Sequence, residues 1–126
     1  MLRNTAITIP TLVRIKRGAL DRIGIYIGRL HLQNIVLLFN NELDKTLIER
    51  VDTSLKENNI SVLQHIPIHA SSSEHAQQIF QSLPRHTSAI VAFGGGKALD
   101  VAKYVAFLGR LPYIASPTSL SNDGFC

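Results

Sequence analysis

Two stretches of this chain, Ile35-Val36-Leu37-Leu38-Phe39 and Ala89-Ile90-Val91-Ala92-Phe93, are apolar without a break. A strand solvated on one face alternates polar and apolar side chains. An uninterrupted apolar run of strand length, rich in branched and aromatic residues, belongs in a sheet covered on both faces. With the neighbouring patterns, the expected strands are Thr8–Val13, Asn34–Phe39, Ile60–Ile66, Ser88–Phe93 and Pro112–Ser116.

Helical periodicity fills the gaps between them. Leu20, Ile23, Ile27 and Leu30 share one helical face. So do Leu43, Leu47, Val51 and Leu55, with Asn41 placed as an N-cap. Ser71-x-x-Glu74 reads as a capping box for a helix that buries Ala76, Ile79, Phe80 and Leu83, and Pro84 stops it. A last helix, roughly Gly96–Leu108, turns Leu99, Ala102, Val105 and Ala106 to the sheet. Lys97, Asp100 and Lys103 are its polar residues and Gly109 its end cap. Strand and helix alternate throughout. The expected fold class is therefore α/β and Rossmann-like: a mostly parallel sheet with right-handed crossovers and helices on both faces. At 126 residues, 1–126 is one domain's worth of chain.

Composition removes several function classes. A hydrophobic fraction of 45% is that of a globular protein. No apolar run approaches the ~18 residues of a membrane span. The single cysteine, Cys126, has no partner for an internal disulfide, which fits a reducing, cytoplasmic setting. Of the net charge of +4, the first 30 residues carry Arg3, Arg14, Lys16, Arg17, Arg22 and Arg29 against Asp21 alone. Such a start resembles a targeting segment or a nucleic-acid patch. The same residues carry a strand-then-helix pattern, and aromatic residues make up only 6% of the chain. A solvated basic face is the better reading, with no nucleic-acid partner.

The chemistry concentrates where Ala89–Phe93 runs into Gly94-Gly95-Gly96-Lys97-Ala98 and a helix begins at once. Glycines allow a sharp turn and a close approach of ligand to backbone. The free N–H groups at a helix start, with the positive end of its dipole, suit an anion. Lys97 adds a full charge, and the simplest ligand is the pyrophosphate of a dinucleotide. The spacing is neither G-x-G-x-x-G nor G-x-x-x-x-G-K-[ST], which disfavours an ordinary Rossmann dehydrogenase and a P-loop NTPase. A second polar loop, Pro117-Thr118-Ser119-Leu120-Ser121-Asn122-Asp123-Gly124-Phe125, leaves the final strand. If the two preceding strands are neighbours, both loops line one crevice at the carboxyl edge of the sheet. Asp123 there is either a carboxylate for substrate hydroxyls or, as Asp-Gly, a turn signal.

Taken together, Gly94–Lys103 and Pro117–Phe125 resemble the glycerol-1-phosphate dehydrogenase branch of the iron-containing alcohol dehydrogenase superfamily, whose other members include glycerol dehydrogenase and dehydroquinate synthase. The early Ile15-Lys16-Arg17-Gly18-Ala19-Leu20-Asp21-Arg22-Ile23-Gly24 resembles the family's entry into its first helix. The resemblance implies that Gly94, Gly95, Gly96, Lys97 and Ala98 hold the cofactor pyrophosphate. It implies a second cofactor loop at Thr118, Ser119, Leu120 and Ser121, and a substrate contact at Asp123. The implied reaction is NAD- or NADP-dependent hydride transfer to dihydroxyacetone phosphate. A divalent metal, usually zinc, would polarise the carbonyl.

The chain also departs from the family pattern. The later dehydroquinate synthase motif is not matched. Many members carry an acid at the end of the second strand, toward the adenosine ribose; here Phe39, Asn40 and Asn41 stand there, leaving NAD and NADP both open. The family's metal ligands come from a helical C-terminal domain not found in these 126 residues. His65 and His69 flank Pro67, while His31, His75 and His86 are isolated, so no metal site is expected within the chain. The expected molecule is the nucleotide-binding part of such an oxidoreductase, inactive alone and prone to self-association through uncovered surfaces. A phosphorylated or polyol small molecule is the expected substrate. A glycerol dehydrogenase-like fragment, a non-catalytic nucleotide- or phosphate-binding module and an interaction domain are the alternatives.

Overall fold

The computed structural model describes residues 12–14 and 20–117. Five strands, β1 (Leu12–Arg14), β2 (Asn34–Asn40), β3 (Ser61–Ile68), β4 (Ala89–Gly94) and β5 (Tyr113–Pro117), form one sheet in the order β1-β5-β4-β2-β3. Every pairing is parallel. Between the strands lie α1 (Ile23–Arg29), preceded by a 3₁₀ turn at Leu20–Arg22, α2 (Lys45–Glu57), α3 (Ser73–Gln81) and α4 (Gly96–Gly109). The α/β reading of the sequence holds.

The two unbroken apolar runs became the two central strands, β2 and β4, for the reason their composition suggests. Ile35, Leu37 and Phe39 of β2, with Val91 and Phe93 of β4, pack under Leu20, Ile23, Ile27, Val51 and Leu55. Val36 and Leu38, with Ile90 and Ala92, face Ala76, Ile79, Val101, Ala102 and Val105 on the other side. Each valine, leucine, isoleucine or phenylalanine among them contributes about 1.5–3 kcal/mol on leaving water, so both faces of the pleat anchor the sheet. Helix α1 comes close to α2 at Gly24. A Cβ there would lie 2.1 Å from the Ser54 carbonyl oxygen, and the Gly24 N–H donates to Ser54 Oγ at 2.8 Å.

Several local boundaries differ from the sequence reading. Asp44, not Asn41, caps α2, its carboxylate accepting the Thr46 N–H at 3.0 Å. The Asn41 N–H instead donates to the Ile68 carbonyl, so Asn41 still belongs to the sheet edge. Ser72, one residue beyond Ser71, caps α3 through the His75 N–H at 3.0 Å. Helix α4 runs through Gly109, and its left-handed cap is Arg110 (φ 55°). Leu30 and Phe80, expected to be buried, are 39% and 37% exposed. For Leu30 the cause is plain: α1 ends at Arg29, so Leu30 has left the helical stripe. Strand β3 extends through Pro67 to Ile68. As an edge strand paired only with β2, it tolerates a residue without an N–H.

Candidate functional site at the carboxyl edge of the sheet

From β2 the chain passes outward to β3 through α2, which packs on one face. From β4 it passes to β5 through α4, on the opposite face. Between the neighbouring strands β2 and β4 the two connections therefore part, and a crevice opens beyond their carboxyl ends. Phe39 pairs in register with Phe93, so Asn40 and Gly94, the next residue of each strand, stand together at that edge.

The glycine turn sits in this opening. Gly94 has φ +128°, a conformation that side chains resist, and a Cβ on it would lie 2.1 Å from Asn40 Oδ1. Gly95 is the N-cap of α4, in extended backbone, and no side chain caps that helix start. The first helical bond runs from the Leu99 N–H to the Gly95 carbonyl at 3.1 Å. The N–H groups of Gly96, Lys97 and Ala98 therefore lack an acceptor within the helix. Among the described residues nothing stands within 4 Å of where a Gly96 Cβ would be. Gly96 and Lys97 are exposed, whereas the Ala98 methyl is buried against the sheet, so Ala98 offers only its N–H.

The structure thus assigns different parts to the residues singled out in sequence. Gly94 makes the bend, Gly95 joins it to the helix, and Gly96, Lys97 and Ala98 present donors. The Gly95 N–H is itself taken, donating to Asn40 Oδ1. Asn40 is only 7% exposed. Its part in the turn was missed in the sequence, where the only hint is a polar residue closing an otherwise apolar strand. Asp100 is exposed and lies past the first turn of α4, too far along the helix for its carboxylate to gain from the dipole.

Strands β4 and β5 are neighbours, with Gly94 level with Pro117, so the chain leaves β5 beside the turn. Thr118, Ser119, Leu120, Ser121 and Asp123 lie outside the described residues. The last strand brings Ser116, fully buried, whose hydroxyl has no partner among the described residues.

Other polar features lie elsewhere. A groove of about 480 Å³ is lined by Asp21, Thr46, Glu49, Arg50, Thr53, Ser54 and Glu57, and no glycine-turn residue borders it. His65 on β3 approaches the Asp52 carboxylate at 2.9 and 3.0 Å. Among the described residues no three His, Cys, Asp or Glu side chains gather as a metal ion requires. No described helix is long and apolar enough to cross a membrane.

Comparison with known proteins bears on the family and the fold as a whole. The profile of the iron-containing alcohol dehydrogenases matches residues 14–126. The glycerol-1-phosphate dehydrogenase [NAD(P)+] of Metallosphaera sedula is 28% identical over 94% of this chain and 34% of its own length. The crystal structure of glycerol dehydrogenase from Schizosaccharomyces pombe superposes with a TM-score of 0.71 at 25% identity, covering 86% of this chain and 27% of that one. An iron-containing alcohol dehydrogenase from Thermotoga maritima shares the fold, with a TM-score of 0.71 at 20% identity over 87% of this chain and 36% of its own. The chain spans about a third of the length of the curated relatives it matches.

Proposed function

The chain belongs to the iron-containing alcohol dehydrogenase family, and from that premise we propose that its glycine turn holds the pyrophosphate of NAD or NADP. The observation that carries this reading is an uncapped start of a 14-residue helix at the parting of β2 and β4. The N–H groups of Gly96, Lys97 and Ala98 donate to phosphate oxygens, and the Lys97 ammonium balances their charge. With no side chain, Gly96 lets a phosphate reach the backbone. The bound dinucleotide supplies the hydride; the chain's part is to fix its phosphates at the edge of the sheet.

The wider activity we propose is that of a glycerol-1-phosphate dehydrogenase, reducing dihydroxyacetone phosphate to sn-glycerol 1-phosphate. Thr118, Ser119, Leu120 and Ser121 form the second cofactor loop in this reading, and Asp123 contacts the substrate hydroxyls. The sequence likeness to the Metallosphaera protein supports it. The likeness to a glycerol dehydrogenase supports a second reading in which the substrate is an unphosphorylated polyol. Comparing the binding of dihydroxyacetone phosphate with that of dihydroxyacetone by calorimetry separates the two. We further propose that residues 1–126 alone bind dinucleotide without turning substrate over.

The decisive substitution is Gly96→Val. The position has open space around it, so the protein should fold with little change in Tm while its affinity for NADH and NADPH drops at least about tenfold, one displaced charge-assisted contact being worth that much. Calorimetry showing unchanged binding, or no binding of either dinucleotide to the unaltered protein, would overturn the reading.

A further inference from the structure

We propose that Asn40 is a positioning residue of this site: its carboxamide latches the glycine turn to the end of β2 and, being uncharged, leaves the free N–H groups of the turn to an anion. The proposal rests on the reading of that turn as a phosphate site.

Three observations carry it. Asn40 Oδ1 accepts the N–H of Gly95, a residue 55 positions away and the N-cap of α4. The same oxygen occupies the space that a Gly94 side chain would need, 2.1 Å from its ideal Cβ. Asn40 is also held firmly from behind. It ends a strand paired on both sides, its carbonyl accepts the Leu43 N–H at 3.1 Å, and the next residue, Asn41, donates to Ile68 at 3.1 Å. A buried side chain launched from so fixed a point transmits its position to the turn.

The chemistry explains why an amide suits the position. Three successive glycines allow many backbone conformations, of which one directs the N–H groups of Gly96, Lys97 and Ala98 outward. Engaging the Gly95 N–H selects that one and leaves no buried donor unpaired. A carboxylate could accept the same bond, but it would place a negative charge beside the incoming phosphates, where burial keeps screening weak. The amide supplies the acceptor without the charge.

Two substitutions separate these roles. Asn40→Ala removes the acceptor; Asn40→Asp keeps it and adds the charge. Amide hydrogen exchange reports the latch directly, with Leu37 and Val91 as references for the sheet, and calorimetry with NADH and NADPH reports the site. In Asn40→Ala we expect Gly95 exchange to quicken about tenfold or more, the reference amides to hold, and dinucleotide affinity to fall about tenfold. In Asn40→Asp we expect Gly95 to remain protected while affinity falls about tenfold, a loss that added salt relieves little because the charge is buried. Unaltered Gly95 exchange in Asn40→Ala, or full affinity in both variants, overturns the proposal. Should Asn40→Ala fail to fold, Asn40→Asp decides: an unprotected Gly95, or undiminished affinity, overturns it. If the unaltered protein binds neither dinucleotide yet Gly95 exchange responds as expected, the latch stands and the dinucleotide reading falls.

Discussion

At Gly94 and Gly24 a single methyl group has nowhere to go. The first combines a positive φ with contact to Asn40; the second lies against the backbone carbonyl of Ser54. We expect Gly94→Ala to lower stability by about 1–3 kcal/mol, the range for a strained backbone conformation. Gly96→Ala, in open space, should leave it within about 1 kcal/mol. Urea unfolding of the two variants checks the contrast, and equal losses would contradict it. The sequence marks all three glycines of the turn but does not rank them. Their ranking depends on Asn40, which meets them only after the sheet has formed. The same distance hides Asn40 itself: nothing in Asn40-Asn41 says which of two amides faces a turn 55 residues on.

Elements here are joined by a few polar contacts at their ends. Arg50 of α2 grips Asp21 of the 3₁₀ turn with two hydrogen bonds of 2.9 Å. Those bonds, more than the bare charge, hold the Asp21 carboxyl below its ordinary value, and Asp21 raises Arg50 in turn. A lowered carboxylate pKa adds stability above the unfolded pKa and loses it as pH falls through the folded one. We therefore expect the difference in Tm between the natural chain and Asp21→Asn to be small near neutrality, as suits an exposed pair. It should shrink as pH falls through and below the ordinary carboxylate range, and a difference that grows with acid would reverse the assignment. Caps give a second check. Asp44→Ala should cost about 1 kcal/mol and Asn41→Ala much less in denaturant unfolding, since only Asp44 accepts a helix N–H. The sequence locates each helix well because apolar spacing records it. It misplaces caps by one to three residues, because Ser71 and Ser72, or Asn41 and Asp44, are chemically near-equivalent until the sheet claims one of them.

Over the whole molecule, the alternation of strand and helix through the described residues was legible, and so was the parallel sheet. The strand order was not, since apolar runs record burial but not neighbours. With it stayed hidden the exact seat of the site, which needs β2 beside β4. The outer surface carries an apolar feature as well: Phe107, on α4, is 65% exposed, and Phe80, on α3, is 37% exposed. Sedimentation velocity over a concentration series should show association, reduced in Phe107→Ser; a monomer at every concentration would count against it. The pairing of β1 with β5 has a different consequence, for synthesis. Leu12 lies beside Tyr113, so at about 5–20 residues per second the emerging first strand waits of order 5–20 s for its neighbour to leave the ribosome. During that interval the rest of the sheet can collapse without it, and its docking must close a loop of nearly the whole described chain. Of the described strands, the first to be translated is the last that can be seated.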